Sequence, residues 1–173
     1  MIILKKIFII LNIILILTLT GCSLGNNPTS KVEDLLSKYQ MLDQDIKDEI
    51  EIVVTSEDLT EEQQNRYRKL LEKQYRNLTY EIKDEEEDGN KATITTQIEV
   101  LDYKKAITMT NSIYDNITNY SNEDYNDTKL DNLEAMKETV VYTIDFTLTK
   151  DIDGNWNLDS LDNDIIKKMQ GMY

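Results

Sequence analysis

The side chain best suited to covalent chemistry is Cys22, the only cysteine among 173 residues. A thiol can act as a nucleophile, ligate a metal or pair with a second thiol, and the last option is closed within this chain. There is no histidine, so Ser-His-Asp and Cys-His nucleophiles and His-ligated zinc are excluded for the chain acting alone. The five glycines form neither GxxxxGK[ST] nor GxGxxG, so no phosphate-cradling loop of those kinds is present. What remains is a surplus of carboxylates, 33 Asp and Glu against 19 Lys and Arg, together with ten tyrosines. From these residues no metal or other cofactor is expected. The net charge of −14 repels phosphates and anionic headgroups, so no nucleic-acid partner is expected, and an anchored domain should stand off a membrane.

Cys22 closes an ordered N-terminal pattern. Lys5 and Lys6 precede a mostly apolar stretch from Ile7 to Leu19, broken by Asn12 and Thr18, and the small residues Thr20 and Gly21 follow. Charge, oil and small residues in that order make a secretory signal. The oily run is short for a spanning helix, which needs about 20 apolar residues. The stretch Leu19-Thr20-Gly21-Cys22 resembles the lipobox of bacterial lipoproteins. That resemblance implies a diacylglycerol on the Cys22 thiol and removal of residues 1–21. Residues 22–29 would then be a lipidated, flexible tether, and residues 30–173 a single extracytoplasmic domain anchored at the cell membrane. Two acyl chains suffice for stable anchoring. An uncleaved N-terminal membrane helix is the alternative, and it too leaves the remainder outside the cytoplasmic membrane.

The elements of that domain can be read from periodicity. Ser30 to Glu33 fits a capping box, and an apolar stripe from Val32 to Val53 follows at helical spacing. Thr60 to Gln63 fits a second box, ahead of Tyr67, Leu70, Leu71, Tyr75 and Leu78. The period then drops to two. Tyr80 and Ile82, the turn Asp88-Gly89-Asn90, and Ala92, Ile94, Ile98 and Val100 predict a β-hairpin. Tyr142, Ile144, Phe146 and Leu148, the turn at Asp153-Gly154, and Trp156 and Leu158 predict another. Between them, residues 104–139 read as a partly helical insertion in which SNEDYNDT is loop. Asp162 caps a short last helix that Gly171 ends. Helices followed by strands predict an α+β fold, with N-terminal amphipathic helices on a curved antiparallel sheet of about four strands.

The segments KLLEKQYRNLTYEIKDEEEDGNKATITTQIEVLDY and YTIDFTLTKDIDGNWNLDSLDNDIIKKMQGMY resemble small Gram-positive lipoproteins with an NTF2-like, cystatin-like fold, a group without an assigned activity. The resemblance implies a pocket between sheet and helices. Asp145, flanked by Thr143 and Thr147, is the sheet carboxylate to inspect as a general base there, although alternation puts it opposite Tyr142 and Phe146. Asp151-Ile152-Asp153-Gly154 matches the start of an EF-hand loop, but Thr149 and Ser160 fall where its first and closing acidic ligands must stand. The run from Asp84 to Asp88 is a carboxylate cluster beside a turn, expected to be solvated. Tyr103, Tyr114, Tyr120 and Tyr125, in or beside the insertion, are the candidate interaction patch. The expected function is non-enzymatic binding of a protein or small molecule by a membrane-anchored domain. An anchored isomerase-like or hydrolase-like enzyme is the alternative.

Overall fold

The computed structural model describes residues 26–173, so Leu19, Thr20, Gly21 and Cys22 lie outside the described residues. In order come α1 (Pro28–Met41), α2 (Gln44–Ser56), α3 (Glu61–Asn77), β1 (Thr79–Asp88) and β2 (Lys91–Leu101). They are followed by α4 (Tyr103–Tyr114), α5 (Asn122–Ala135), β3 (Thr139–Lys150), β4 (Trp156–Leu158) and α6 (Asn163–Met169). The strands form one antiparallel meander in the order β1-β2-β3-β4, and the fold is α+β.

The first helix begins earlier than its sequence signal. Asn27 is the cap, accepting the Ser30 N–H at 2.6 Å, and Pro28 takes the first helical position, where its missing N–H is not needed. Ser30 is therefore inside the helix and its Oγ donates back to the Asn27 carbonyl. Asn26 is also held: its Nδ2 donates to the Gly154 carbonyl at 3.1 Å and its Oδ1 accepts the Trp156 N–H at 2.9 Å. Residues 26–29 thus belong to the domain, which shortens the expected tether.

The stripe from Val32 to Val53 is two helices, not one. Leu42 adopts φ 52, in the left-handed region, and its N–H and that of Asp43 close α1 on Tyr39 and Lys38. Asp43 then caps α2 by accepting from Ile46 N–H. A left-handed leucine costs about 1–2 kcal/mol, yet burying its side chain returns about 1.5–3 kcal/mol, and Leu42 is 1% exposed. The kink is kept because it turns this side chain into the core. Thr60 and Gln63 form the expected reciprocal box at the start of α3.

Both hairpins follow the alternation. Ala92, Ile94, Ile98 and Val100 of β2 share a face with Ile144, Phe146 and Leu148 of β3, in a register that pairs Ile94 with Phe146. These side chains are buried. Gly89 and Gly154 occupy the turns at φ 63 and 82, a region open to glycine. Helix α1 lies on β1, β2 and β4, while α3 touches β2 and packs on α1, α2 and α5. β4 pairs with only the last residues of β3. The remaining outer edge of β3 is met by the following chain, through Asp159 N–H on the Thr147 carbonyl and Lys168 Nζ on the Thr143 carbonyl.

A buried amide ties the helices to the sheet. Gln74, 1% exposed, donates from Nε2 to the carbonyls of Leu101 and Gln170, both at 2.9 Å, and accepts the Leu101 N–H at 3.1 Å. Gly171, at φ 70, ends α6 as expected and lets its backbone approach this clamp. The insertion is an α-helical hairpin: SNEDYNDT, expected to be loop, supplies the cap Ser121 and the first two turns of α5. The polar face of these turns gave no apolar period, but Asn126 buries itself against the Asp58 carbonyl and Gln63 reaches Glu123 and Asp127 from α3.

Candidate interaction surface

The α4 and α5 hairpin is pinned on its inner side and open on its outer side. Asp102 caps α4 by accepting the Lys105 N–H at 2.9 Å. Tyr103, Ala106 and Thr110 face inward, and Thr110 Oγ1 accepts from Asn132 Nδ2 of α5 at 2.9 Å. Tyr103 is wholly buried and its hydroxyl donates to the Leu70 carbonyl at 3.2 Å. It therefore leaves the expected patch: it is a core residue, and burial pushes its phenol up to about 12.

The other three tyrosines come together where α4 turns into α5. Tyr114 meets Tyr120 edge-on at 4.5 Å between ring centres and Tyr125 at 5.3 Å, and Tyr120 stacks on Tyr125 at 6.1 Å. Such arrangements suit the ring quadrupoles. The Tyr114 hydroxyl lies 2.9 Å from both the Asp124 carbonyl and Thr128 Oγ1, and Tyr125 donates to Asn111 Oδ1 at 2.6 Å. Partial burial, and then neighbouring Tyr120, raise the Tyr125 phenol, so it stays neutral. Of these rings Tyr120 is 48% exposed, and the same hairpin leaves Met109, Ile113 and Ile117 respectively 47, 51 and 42% exposed. Met109 and Ile113 are four residues apart and follow Ala106 and Thr110 at three-residue spacing, so they form the solvent-exposed border of the face that those two bury.

Electrostatics around the surface is one-sided. From Ala106 to Thr128 there is no Lys or Arg, whereas Asp115, Glu123, Asp124 and Asp127 are all present and exposed. Further along α5, Arg66 of α3 meets Asp131 at 2.6 Å and Glu134 at 2.8 Å, with Asp127 at 3.6 Å. The apolar surface is therefore rimmed by carboxylates.

The sheet carboxylate is placed differently from a pocket base. Asp145, Thr143 and Thr147 lie exposed on the face turned away from the helices, and Asp145 accepts from Thr95 Oγ1 at 2.8 Å. The space between sheet and helices is filled by Ile94, Ile98, Ile144, Phe146 and Leu148. A general base needs a concave, water-excluding site, and Asp145 has none. Asp151 is a turn builder: its carboxylate accepts from the N–H groups of Asn155, the chief cause, and Asp153, both at 2.9 Å, and these hold it below the usual carboxylate range. Among the described residues, no three Cys, Asp or Glu side chains are grouped to hold a metal ion, and no helix is long and apolar enough to cross a membrane. Compared with known protein families, curated proteins and solved structures, the chain gives no match.

Proposed function

We propose that this chain is a lipid-anchored, extracytoplasmic binding domain that presents the α4 and α5 tyrosine surface to a protein partner. The observation that carries it is the half-exposed stack of Tyr114, Tyr120 and Tyr125, in a hairpin that also leaves Met109, Ile113 and Ile117 uncovered. Rigid aromatic anchors ringed by charge are the composition of binding sites, and a carboxylate rim selects a partner with a basic border. The anchor rests on the signal order and the lipobox resemblance ending at Cys22. The finer fold kinship, NTF2-like or cystatin-like, is supported by an N-terminal helix lying on a four-stranded antiparallel meander. The enzymatic alternative keeps no support from Asp145.

Two variants test the two halves. Ile113→Asp with Tyr120→Ala changes exposed side chains, so far-UV circular dichroism should not move. Binding to a partner captured by photo-crosslinking at position 117 should weaken by about thirtyfold or more, equivalent to about 2 kcal/mol for one interfacial aromatic. A crosslinked partner whose affinity ignores the double variant, or no specific adduct from intact cells, refutes the surface. If Cys22→Ala leaves membrane attachment and mature mass unchanged, the anchor is wrong.

A further inference from the structure

The anchored end of the chain is fastened to one end of the domain. Asn26 makes one hydrogen bond to Gly154 in the turn joining β3 to β4 and one to Trp156, the first residue of β4. The β1 to β2 turn lies at the same end, since Lys150 N–H donates to the Asn90 carbonyl at 2.8 Å, and Thr29 Oγ1 bonds Glu85. The α4 and α5 hairpin is inserted between the end of β2 and the start of β3, at the opposite end of the sheet. Twelve-residue β3 puts about 40 Å between those ends at about 3.3 Å per residue.

Ser23, Leu24 and Gly25 alone separate Cys22 from Asn26. A fully extended chain over that interval covers at most about 14 Å. A lipid on Cys22 would therefore hold the turn end of the domain against the bilayer. At that end Ile152, at the tip of the β3 to β4 turn, is 101% exposed. Its turn is already shaped by the Asp151 carboxylate on the Asp153 and Asn155 N–H groups, so presenting the side chain costs no further ordering.

We propose that Ile152 is a membrane-contact residue: both strand turns face the bilayer, Ile152 enters the headgroup and acyl boundary, and the tyrosine surface is held on the far side. This rests on lipidation of Cys22, as in the proposed function. Asp151 and Asp153 flank Ile152, and Glu86, Glu87 and Asp88 stand at the neighbouring tip, all exposed. These carboxylates belong to the charge that predicts a domain standing off the membrane. The short tether overrides that prediction at this end. The carboxylates confine the contact to one apolar side chain and make it shallower on anionic than on zwitterionic bilayers at low salt.

The test uses the full chain purified from membranes, with its mass read first, in vesicles of phosphatidylcholine alone or mixed with phosphatidylglycerol. With Cys22 alkylated, Ile152→Cys or Ile117→Cys offers a single free thiol for a bimane label. Nitroxide placed near the lipid headgroups should quench bimane at 152 and leave it at 117 unchanged, with less quenching at 152 when phosphatidylglycerol is added. Asn26→Ala, which frees the exit point, should reduce quenching at 152. Equal quenching at both positions, or none at 152, overturns the orientation while the lipidated mass leaves the anchor standing. Unchanged quenching in Asn26→Ala overturns the role of that residue. A mature mass without lipid overturns the anchor, and this inference with it.

Discussion

Replacing Gly171 with alanine should destabilise the domain far more than the same change at Gly89 or Gly154. All three glycines have positive φ, at 63, 82 and 70 for 89, 154 and 171, so each replacement bears a similar backbone strain of about 1 kcal/mol. They differ in space. A Cβ at Gly89 or Gly154 meets nothing within 4 Å, whereas at Gly171 it falls 2.0 Å from the Leu101 carbonyl oxygen and 2.5 Å from Gln74 Nε2. The first is backbone at the end of β2 and cannot swing aside, and the second is the buried clamp donor. Relief must part Gln74 from its Leu101 and Gln170 carbonyls, and each buried group left unsatisfied costs about 1–3 kcal/mol. We expect about 4 kcal/mol for Gly171→Ala against about 1 kcal/mol for the two controls. For a domain of this size that lowers the melting midpoint on the order of 10 °C. Denaturant titration followed by the fluorescence of Trp156, the only tryptophan, measures it directly. In a Gln74→Ala background the penalty should shrink, because the two changes break the same clamp. If Gly171→Ala costs no more than Gly154→Ala, the steric account of the clamp is wrong.

Thr96 is wholly buried in β2 and its hydroxyl finds no hydrogen-bond partner among the described residues, so Thr96→Val should raise stability by about 1 kcal/mol, and a loss in denaturant titration would contradict this. Burial raises the phenols of Tyr39, Tyr67, Tyr75 and Tyr103 from their ordinary value near 10, with Tyr75 and Tyr103 pushed up to about 12. Their neutral forms therefore favour the folded state. That stability is complete below pH 10 and is lost as pH rises from 10 towards 12, at up to about 1.4 kcal/mol per pH unit for each tyrosine. Tyrosinate absorbance should rise together with a cooperative change in Trp156 fluorescence, and free titration near pH 10 with the fold intact would refute it. Arg66→Ala leaves Asp131 and Glu134 facing each other without their shared cation and should cost about 1 kcal/mol, discounted because both carboxylates are well exposed. The loss should fade in high salt, and a salt-independent loss would point to packing of the arginine stem instead.

Local signals carried much of this protein. Alternation in β2 and β3 needs only the two-residue period of a strand, so the hairpins, their inward faces and the glycine turns were legible from the residues themselves. The Thr60 box, the Asp162 cap and the Gly171 stop were legible for the same reason: each involves neighbours a few residues apart. Reading failed where a distant partner decided the outcome. SNEDYNDT has no apolar period, and it is helical because Asn126 and the backbone near Glu123 find partners on Asp58 and Gln63. Leu42 bends the chain because its side chain is wanted in the core. Of four tyrosines close in sequence, Tyr103 was drawn inward by Leu70, and only the other three gathered at the surface.

By itself, then, the sequence determined the α+β class, the two hairpins, the acidic composition and the absence of histidine chemistry in this chain. Tertiary structure alone decided that the helix and sheet interface is filled, that Asp145 faces solvent, and that Asn26 binds the β3 to β4 turn 128 residues away. The reason is one of range. Periodicity and capping are written within a few residues, whereas burial and close approach depend on which remote segments share the same space.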